Sequence, residues 1–303
     1  MFSFGGYVNP EAPHDNKRPG FKGYYSDQLN AVAIQCSKEN LHPELIEWAD
    51  TIIVMHRHDW IITNWEKMKH KRVIWRTIGQ SVPDIERDLA PYRSQGLQIV
   101  RYSPREEHIK DFVGQDAVIR FYKDPEEYKD WNGDIKKVLN VTQSMKARGT
   151  FCGYEILNQA TDGLDRIVYG PGNEDIPYSG GILPYDDLRK AYRDHRVYFY
   201  TGTYPASYTL NFIEALMTGI PIVAIGRDLA NLGIFQMDSY EVDQIIKSGV
   251  NGYIGNSIEE LRACSELLLN NPEAGMKIGE EGRKTAIELF GKEKIMKEWE
   301  AFL

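Results

Sequence analysis

From about residue 50 onward, short runs of β-branched and aliphatic residues alternate with longer segments whose apolar positions recur at helical spacing. TIIVM (51–55), RVIW (72–75) and LQIVRY (97–102) are the first such runs, and their short, nearly continuous apolar character suits strands buried on both faces of a parallel sheet. Helical material lies between them, including Asp59–Lys69. After Arg120 the pattern lapses. FYKDPEEYKDWNGD (121–134) is polar, aromatic and turn-rich, with Pro125 and Asn132-Gly133, and predicts a linker.

A second alternating series follows. Strands are predicted at IKKVLNVT (135–142), RIVYG (166–170), RVYFY (196–200), IPIVAIG (220–226) and NGYIG (251–255). Helices are predicted at GTFCGYEILNQA (149–160), DDLRKAYRDH (186–195) and SYTLNFIEALMTG (207–219), the last closed by Gly219. Ser257 and Glu260 form a capping box that opens the helix over 257–270, and two further helices are expected over 273–289 and 292–303. Strands alternating with helices of about 10–14 residues imply right-handed βαβ units. The expected fold is α/β, with two Rossmann-like domains, each built on a parallel sheet. The first spans residues 1–125 and the second 126–290, with a terminal helix over 291–303. The opening stretch Met1–Tyr25, with Pro10, Pro13 and Pro19, does not read as a first strand and helix, so the first domain is expected to be reduced.

Composition narrows the picture. The 303 residues are 42% hydrophobic and 26% charged, ordinary for a globular chain. The longest apolar runs, such as Ile220–Ile225, fall far short of the roughly 20 residues of a membrane helix. No membrane span is expected, and MFSFGGYVNP does not read as a leader. Cys36, Cys152 and Cys264 are scattered, with no CxxC, so a cytoplasmic protein is the simplest expectation. A net charge of −8 argues against a chain coated in positive charge. Locally, residues 51–76 hold six Lys/Arg (Arg57, Lys67, Lys69, Lys71, Arg72, Arg76) against Asp59 and Glu66, with His56, His58 and His70 and with Trp60, Trp65 and Trp75 interleaved. That stretch is either a solvated face or a local anion-binding surface.

Parallel sheets bind ligands beyond the carboxyl ends of their strands. Thr201-Gly202-Thr203-Tyr204-Pro205-Ala206-Ser207-Tyr208-Thr209 delivers hydroxyls and backbone N–H groups to a helix start, a natural phosphate site, although Ser207 could equally serve as a plain N-cap. Glu214 follows among apolar neighbours, placed to accept hydrogen bonds from a vicinal diol such as a ribose, or else pointing outward. Gly170-Pro171-Gly172-Asn173-Glu174-Asp175 begins like a dinucleotide fingerprint but lacks its third glycine and runs into Pro177. There is no P-loop, no HExxH, no GxSxG and no Asp-x-Asp pair for a metal diphosphate.

These residues resemble a family. YTGTYPASYTLNFIEALMTGIPIVAIG (200–226) is similar to the donor-site signature of GT-B glycosyltransferases, family 4 in particular, where a "PS…E" loop precedes a helix carrying "EAxxxGxPVVA". VLNVTQSMKARG (138–149), RIVYGPGNE (166–174), GGILPYDDLRKAY (180–192), SGVNGYI (248–254) and NNPEAGMKIGEEGRKTAIELFGKEKI (270–295) resemble further family segments in the family's order. The likeness covers about residues 135–303. In the first half only ADTIIVMHRHDW (49–60) and VIWRTIGQS (73–81) match, and loosely.

The resemblance implies a GT-B fold and transfer of a sugar from a nucleotide-diphosphate sugar, UDP-linked, to an acceptor hydroxyl. It also implies retained stereochemistry, no metal and no resident cofactor. Gln143 and Arg148 would face the donor diphosphate, with Gln143 standing where the family has arginine. Ser207, Tyr208 and Thr209 would offer N–H groups to the phosphates, and Glu214 would bind the ribose. Ile182 and Leu183, after Gly181, would hold the base, with Gly170 and Gly172 shaping the pocket. The family's sugar-contacting glutamate is Ala206 here, and its first-domain histidine is Gly79. The terminal helix 291–303 would pack back toward the first domain. His56, His58, Arg76 and Gln80 are the catalytic-side candidates bordering the acceptor. The acceptor itself stays open, and nucleic acid, including a modified base in DNA, is one class that the basic stretch 51–76 would suit. Two other classes share the pattern: a sugar-nucleotide 2-epimerase, and a nucleotide-sugar-binding protein without catalysis.

Overall fold

The computed structural model describes residues 40–230 and 238–303. Met1–Tyr25 and Cys36 therefore lie outside the described residues. Contacts divide the described residues into two compact units, one holding those up to Arg101 together with Lys110–Val118, the other Tyr102–Ile109 together with those from Ile119 onward.

The first unit runs α1 (Pro43–Trp48), β1 (Thr51–Val54), α2 (Asp59–Met68), β2 (Arg72–Arg76), α3 (Pro83–Arg93), β3 (Gln98–Arg101) and β4 (Ala117–Val118). The strands are all parallel, in the order β1-β2-β3-β4. Apolar residues of α2 at helical spacing, Ile61, Trp65 and Met68, are buried on Val73 and Trp75 of β2 and Ile99 of β3. Trp60 packs against the same core, so the tryptophans interleaved with the basic residues are packing elements and not a stacking platform. Several of those cations have partners: Arg57 pairs with Asp59, Lys69 with Glu66, and Lys71 with Glu47. Acids from outside the stretch, Glu47 and Asp88, also meet His70 and His58. The local excess of positive charge is thus smaller in the fold than in the count.

The second unit continues β5 (Ile135–Val141), α4 (Met145–Arg148), α5 (Tyr154–Ala160), β6 (Arg166–Tyr169), β7 (Ser179–Gly181), α6 (Tyr185–Asp194), β8 (His195–Tyr200), α7 (Leu210–Thr218), β9 (Ile222–Ile225), α8 (Arg227–Ala230), α9 (Val242–Ile245), β10 (Tyr253–Gly255), α10 (Ile258–Asn270), α11 (Pro272–Phe290) and α12 (Lys292–Phe302). Its strands are parallel, in the order β10-β9-β8-β5-β6-β7. This is the doubly wound arrangement, starting in the middle at β5 and winding first one way, then the other. Both units are α/β with parallel sheets, as the alternating pattern predicts.

Three local expectations are corrected. The segment 149–160 is two pieces, a 3-10 turn over Gly149–Cys152 and then α5, because Gly153 between them adopts a left-handed φ of 64°. The helix expected from Ser207 starts only at Leu210, because the Ser207 peptide is engaged elsewhere. The segment 121–134 is packed and not solvated: Lys123 N–H donates to the Phe290 carbonyl at 3.0 Å, and Trp131 Nε1 donates to the His195 carbonyl at 2.7 Å. The Ser257–Glu260 box forms, with Glu260 N–H donating to Ser257 Oγ at 3.1 Å and the Glu260 carboxylate taking the Asn256 N–H at 2.8 Å.

Helix α11 presents small residues to its neighbours. A side chain at Gly279 would drive into the Gly219 carbonyl that ends α7, and one at Gly282 would meet Leu216. The close seam between α7 and α11 depends on their absence.

In the first unit, Glu86 of α3 and Arg101 of β3 form a fully buried bidentate ion pair at 2.6 and 2.8 Å. Val113 N–H also donates to Glu86 at 3.1 Å, Arg101 donates to the Gly114 carbonyl at 2.9 Å, and the Phe112 ring lies 4.6 Å beneath the guanidinium. Removing one partner of such a pair strands the other charge in the interior. Glu86→Ala should therefore destabilise the first unit by about 3–5 kcal/mol, read as a lowered midpoint in denaturant unfolding.

Candidate functional site

β5 and β8 pair side by side at the middle of the second sheet, and the connections leaving them run in opposite directions. Beyond β5 the chain is stitched to the turn after β6. Thr142 N–H donates to the Tyr169 carbonyl at 3.0 Å, Ser144 N–H to the Pro171 carbonyl at 2.8 Å, and Met145 N–H to Asn173 Oδ1 at 2.8 Å. Asn173, fully buried, returns its amide to the carbonyls of Thr142 and Gly170 at 2.6 and 3.0 Å. Gly170 (φ 139°) and Gly172 (φ 72°) are required by this close approach, since a Cβ would strike the Thr142 carbonyl at the first and the Ser144 hydroxyl at the second. Gln143 and Arg148 are exposed on the loop and at the end of α4.

Beyond β8 lies the loop to α7. Thr209 stands at the helix cap with extended backbone and no side-chain capping bond, and its hydroxyl donates instead to the Tyr200 hydroxyl at 3.1 Å. The opening turn of α7 carries the N–H groups that a helix cannot pair internally. Ser207 is fully buried; it caps nothing, its N–H donates to the Tyr102 hydroxyl, and its carbonyl takes the Glu241 N–H at 3.1 Å. The Tyr208 ring is buried among Tyr102, Phe212 and Phe290, and its hydroxyl donates to the Tyr102 carbonyl at 2.6 Å.

Glu214 sits on α7 about one turn in, and it points inward, not out to solvent. Its carboxylate pairs with Lys123 and accepts the Tyr192 hydroxyl at 3.2 Å. The Lys123 ammonium also lies 5.3 Å from the Tyr128 ring centroid. Burial, helped by the Glu214 charge, holds the Tyr192 phenol well above its usual range, so it stays a hydrogen-bond donor. At the end of β7, Gly181 (φ 73°) is open around its Cα, Ile182 is exposed, and Leu183 packs on the core.

In the first unit, His56, His58, Arg76 and Gln80 follow or close the carboxyl ends of β1 and β2. Two of them meet directly: His56 Nδ1 lies 2.8 Å from Gln80 Oε1, while the Gln80 amide donates back to the His56 carbonyl. His56 holds a left-handed φ of 66°, and burial pushes its imidazole pKa down. His58 turns instead to Asp88 at 3.0 Å, with its ring edge-on to Trp75, and Arg76 is buried at the end of β2. Lys123, Tyr192 and Tyr102 touch the candidate residues but carry no local sequence signal. Lys123 lies in the stretch that reads as a linker, and only the folded chain brings it to Glu214.

No protein-family model matches the chain. A curated glycosyltransferase of Haemophilus influenzae, itself described as uncharacterized, is 25% identical over 199 residues, covering 65% of this chain and 47% of that protein. The chain thus spans about half the length of the curated relative it matches. Among solved structures, Anabaena HepE in complex with UDP superposes with a TM-score of 0.65 at 14% identity, over 86% of this chain and 81% of that one. A glycosyltransferase from Rickettsia africae gives 0.64 at 14% identity, over 98% of this chain and 87% of its own. Sucrose-phosphate synthase from Thermosynechococcus elongatus gives 0.65 at 13%, over 86% and 76%. The chain has the GT-B fold of these glycosyltransferases. The resemblance to glycosyltransferases holds, while membership of family 4 in particular is not settled by these likenesses.

Two predictions follow from this geometry. Gly170→Ala should destabilise the second unit by at least about 2 kcal/mol, since the clash is with backbone and the φ is disfavoured, and thermal unfolding would register it. His195 is buried with Nδ1 2.8 Å from the Ala191 carbonyl, and burial lowers its pKa, as it does that of His56, from 6.5. Each binds a proton more readily unfolded than folded. Their contribution to stability is present above 6.5 and is lost as pH falls below it toward the folded values. The melting temperature should drop between about pH 7.5 and about pH 5.5, and His195→Gln should flatten that drop.

Proposed function

We propose that the chain is a glycosyltransferase that takes its sugar from a UDP-linked donor. The observation that carries this reading is the divergence of the connections after β5 and β8, framed by close-packed Gly170 and Gly172, the uncapped start of α7, and the inward-facing Glu214. Fold-level support comes from HepE, whose structures hold UDP, UDP with glucose, and UDP-glucose.

On this reading the diphosphate lies at the N-terminal end of α7, where the helix dipole and unpaired N–H groups favour negative charge. Arg148, exposed at the end of α4, adds a cation as charge grows on the departing UDP. The ribose diol hydrogen-bonds Glu214 and exchanges with Lys123 on the carboxylate, while Tyr192 holds the second oxygen. Gly181, Ile182 and Leu183 border the base. Retained stereochemistry and independence of metal belong to the proposal on the strength of the family resemblance. In the first unit, the clasped pair His56 and Gln80 borders the acceptor on this reading. A cytoplasmic location agrees with the finding that, among the described residues, no helix is long and apolar enough to cross a membrane.

A second reading, nucleotide-sugar binding without transfer, draws on Ala206 and Gln143, which replace the family's sugar-contacting acid and diphosphate-facing arginine. Calorimetry against a panel of nucleotide sugars, followed by product analysis with and without acceptors, separates the two. Turnover of a UDP-sugar supports the transferase, and binding without turnover leaves the second reading. Glu214→Ala should weaken UDP affinity by about tenfold or more, the loss of hydrogen bonds to a charged acceptor. An unchanged dissociation constant would show that the ribose is not held there.

A further inference from the structure

The segment Tyr102–Ile109 belongs to the second unit although the residues on either side of it belong to the first. Tyr102 is buried, its ring 5.0 Å from that of Tyr208 and 5.2 Å from that of Phe121. It grips the loop after β8 with both of its polar ends. The Ser207 N–H donates to its hydroxyl, and the Tyr208 hydroxyl donates to its carbonyl at 2.6 Å. The far side of the same loop is held by Glu241, whose N–H donates to the Ser207 carbonyl at 3.1 Å. The Glu241 carboxylate is fixed in turn by the Ser103 hydroxyl and by Arg120.

Two consequences follow. The Ser207 N–H, one of three amides that the family resemblance assigns to the phosphates, is already engaged with Tyr102. Ser207 is held at both its N–H and its carbonyl only three residues before α7 begins at Leu210. Burial keeps the Tyr102 phenol well above its usual range, so the group is a neutral, permanent hydrogen-bonding anchor.

We propose that Tyr102 is a positioning residue for the donor diphosphate, acting through the Ser207 peptide to aim the amides at the start of α7. This rests on the nucleotide-sugar reading of the site. The residue need not touch the donor; its role is to hold an anion-binding turn in place before the anion arrives.

The test compares UDP with uridine, which share a base and ribose and differ in the diphosphate. In calorimetry on the full chain, Tyr102→Phe keeps the ring packing and removes the hydroxyl. It should weaken UDP binding roughly tenfold, the effect of misaligning a charge-assisted hydrogen bond, and leave uridine affinity unchanged. Tyr208→Phe, which releases the other half of the grip, should give the same split and serves if the first variant fails to fold. UDP affinity retained in the variant, or an equal loss for UDP and uridine, would overturn the positioning role, because a merely structural tyrosine produces no diphosphate-specific effect. A wild-type chain that binds UDP no better than uridine would overturn the nucleotide-sugar reading itself, and the proposal with it.

Discussion

Parallel strands cannot be joined by tight turns, so every connection in the second sheet must cross one of its faces. Such crossings keep one hand, and a sheet that grows outward from its centre in both directions must therefore divide its connections at one point. Here that point lies between β5 and β8. The turn after β6 tightens against the chain leaving β5, and the glycines at 170 and 172 are what that tightening demands. The chain leaving β8 instead leads through a packed loop to the start of α7.

The central carboxylate shows how packing decides what a side chain is. On the sequence Glu214 could face the core or the solvent. In the fold it is enclosed by Lys123, Tyr128 and Tyr192, and its charge is tolerated because an ammonium and a phenol answer it. A group held this way is already oriented. The ion pair between Glu86 and Arg101 follows the same rule in the first unit, but there every oxygen and nitrogen is matched within the protein and nothing is left for a ligand.

Periodicity alone revealed most of the architecture. Strands at 51–55, 135–142, 166–170 and 196–200 emerge from uninterrupted β-branched and aromatic runs, and helix ends emerge from Gly219 and from the Ser257–Glu260 box. Each of these depends on neighbours within a few residues. The short elements α1, β4, β7 and α9 were not legible, because none of them holds a run of four apolar residues to separate strand, helix and loop. The candidate site divides the same way. Gly170, Gly172 and the loop to α7 are visible as local motifs. Tyr102, Lys123 and Glu241 are separated by about a hundred residues or more from some of what they touch, and nothing near them in the chain announces a partner. Ser207 illustrates the reverse error: a serine before a helical pattern reads as a cap, yet its peptide is committed to a distant tyrosine, and the helix waits for Leu210.

The seam between α7 and α11 also governs where this chain can tolerate change. Gly279 and Gly282 leave no room for growth, so the helix that bears Glu214 is held at a set depth and rotation, and substitutions along that seam must be paid for in unfolding. Ala206 and Gln143 stand on loops outside it. Exchange at these two positions alters the loops without moving the helix. A protein built this way can exchange residues on its loops while its frame stays intact, which makes change in the loops far easier than change of fold.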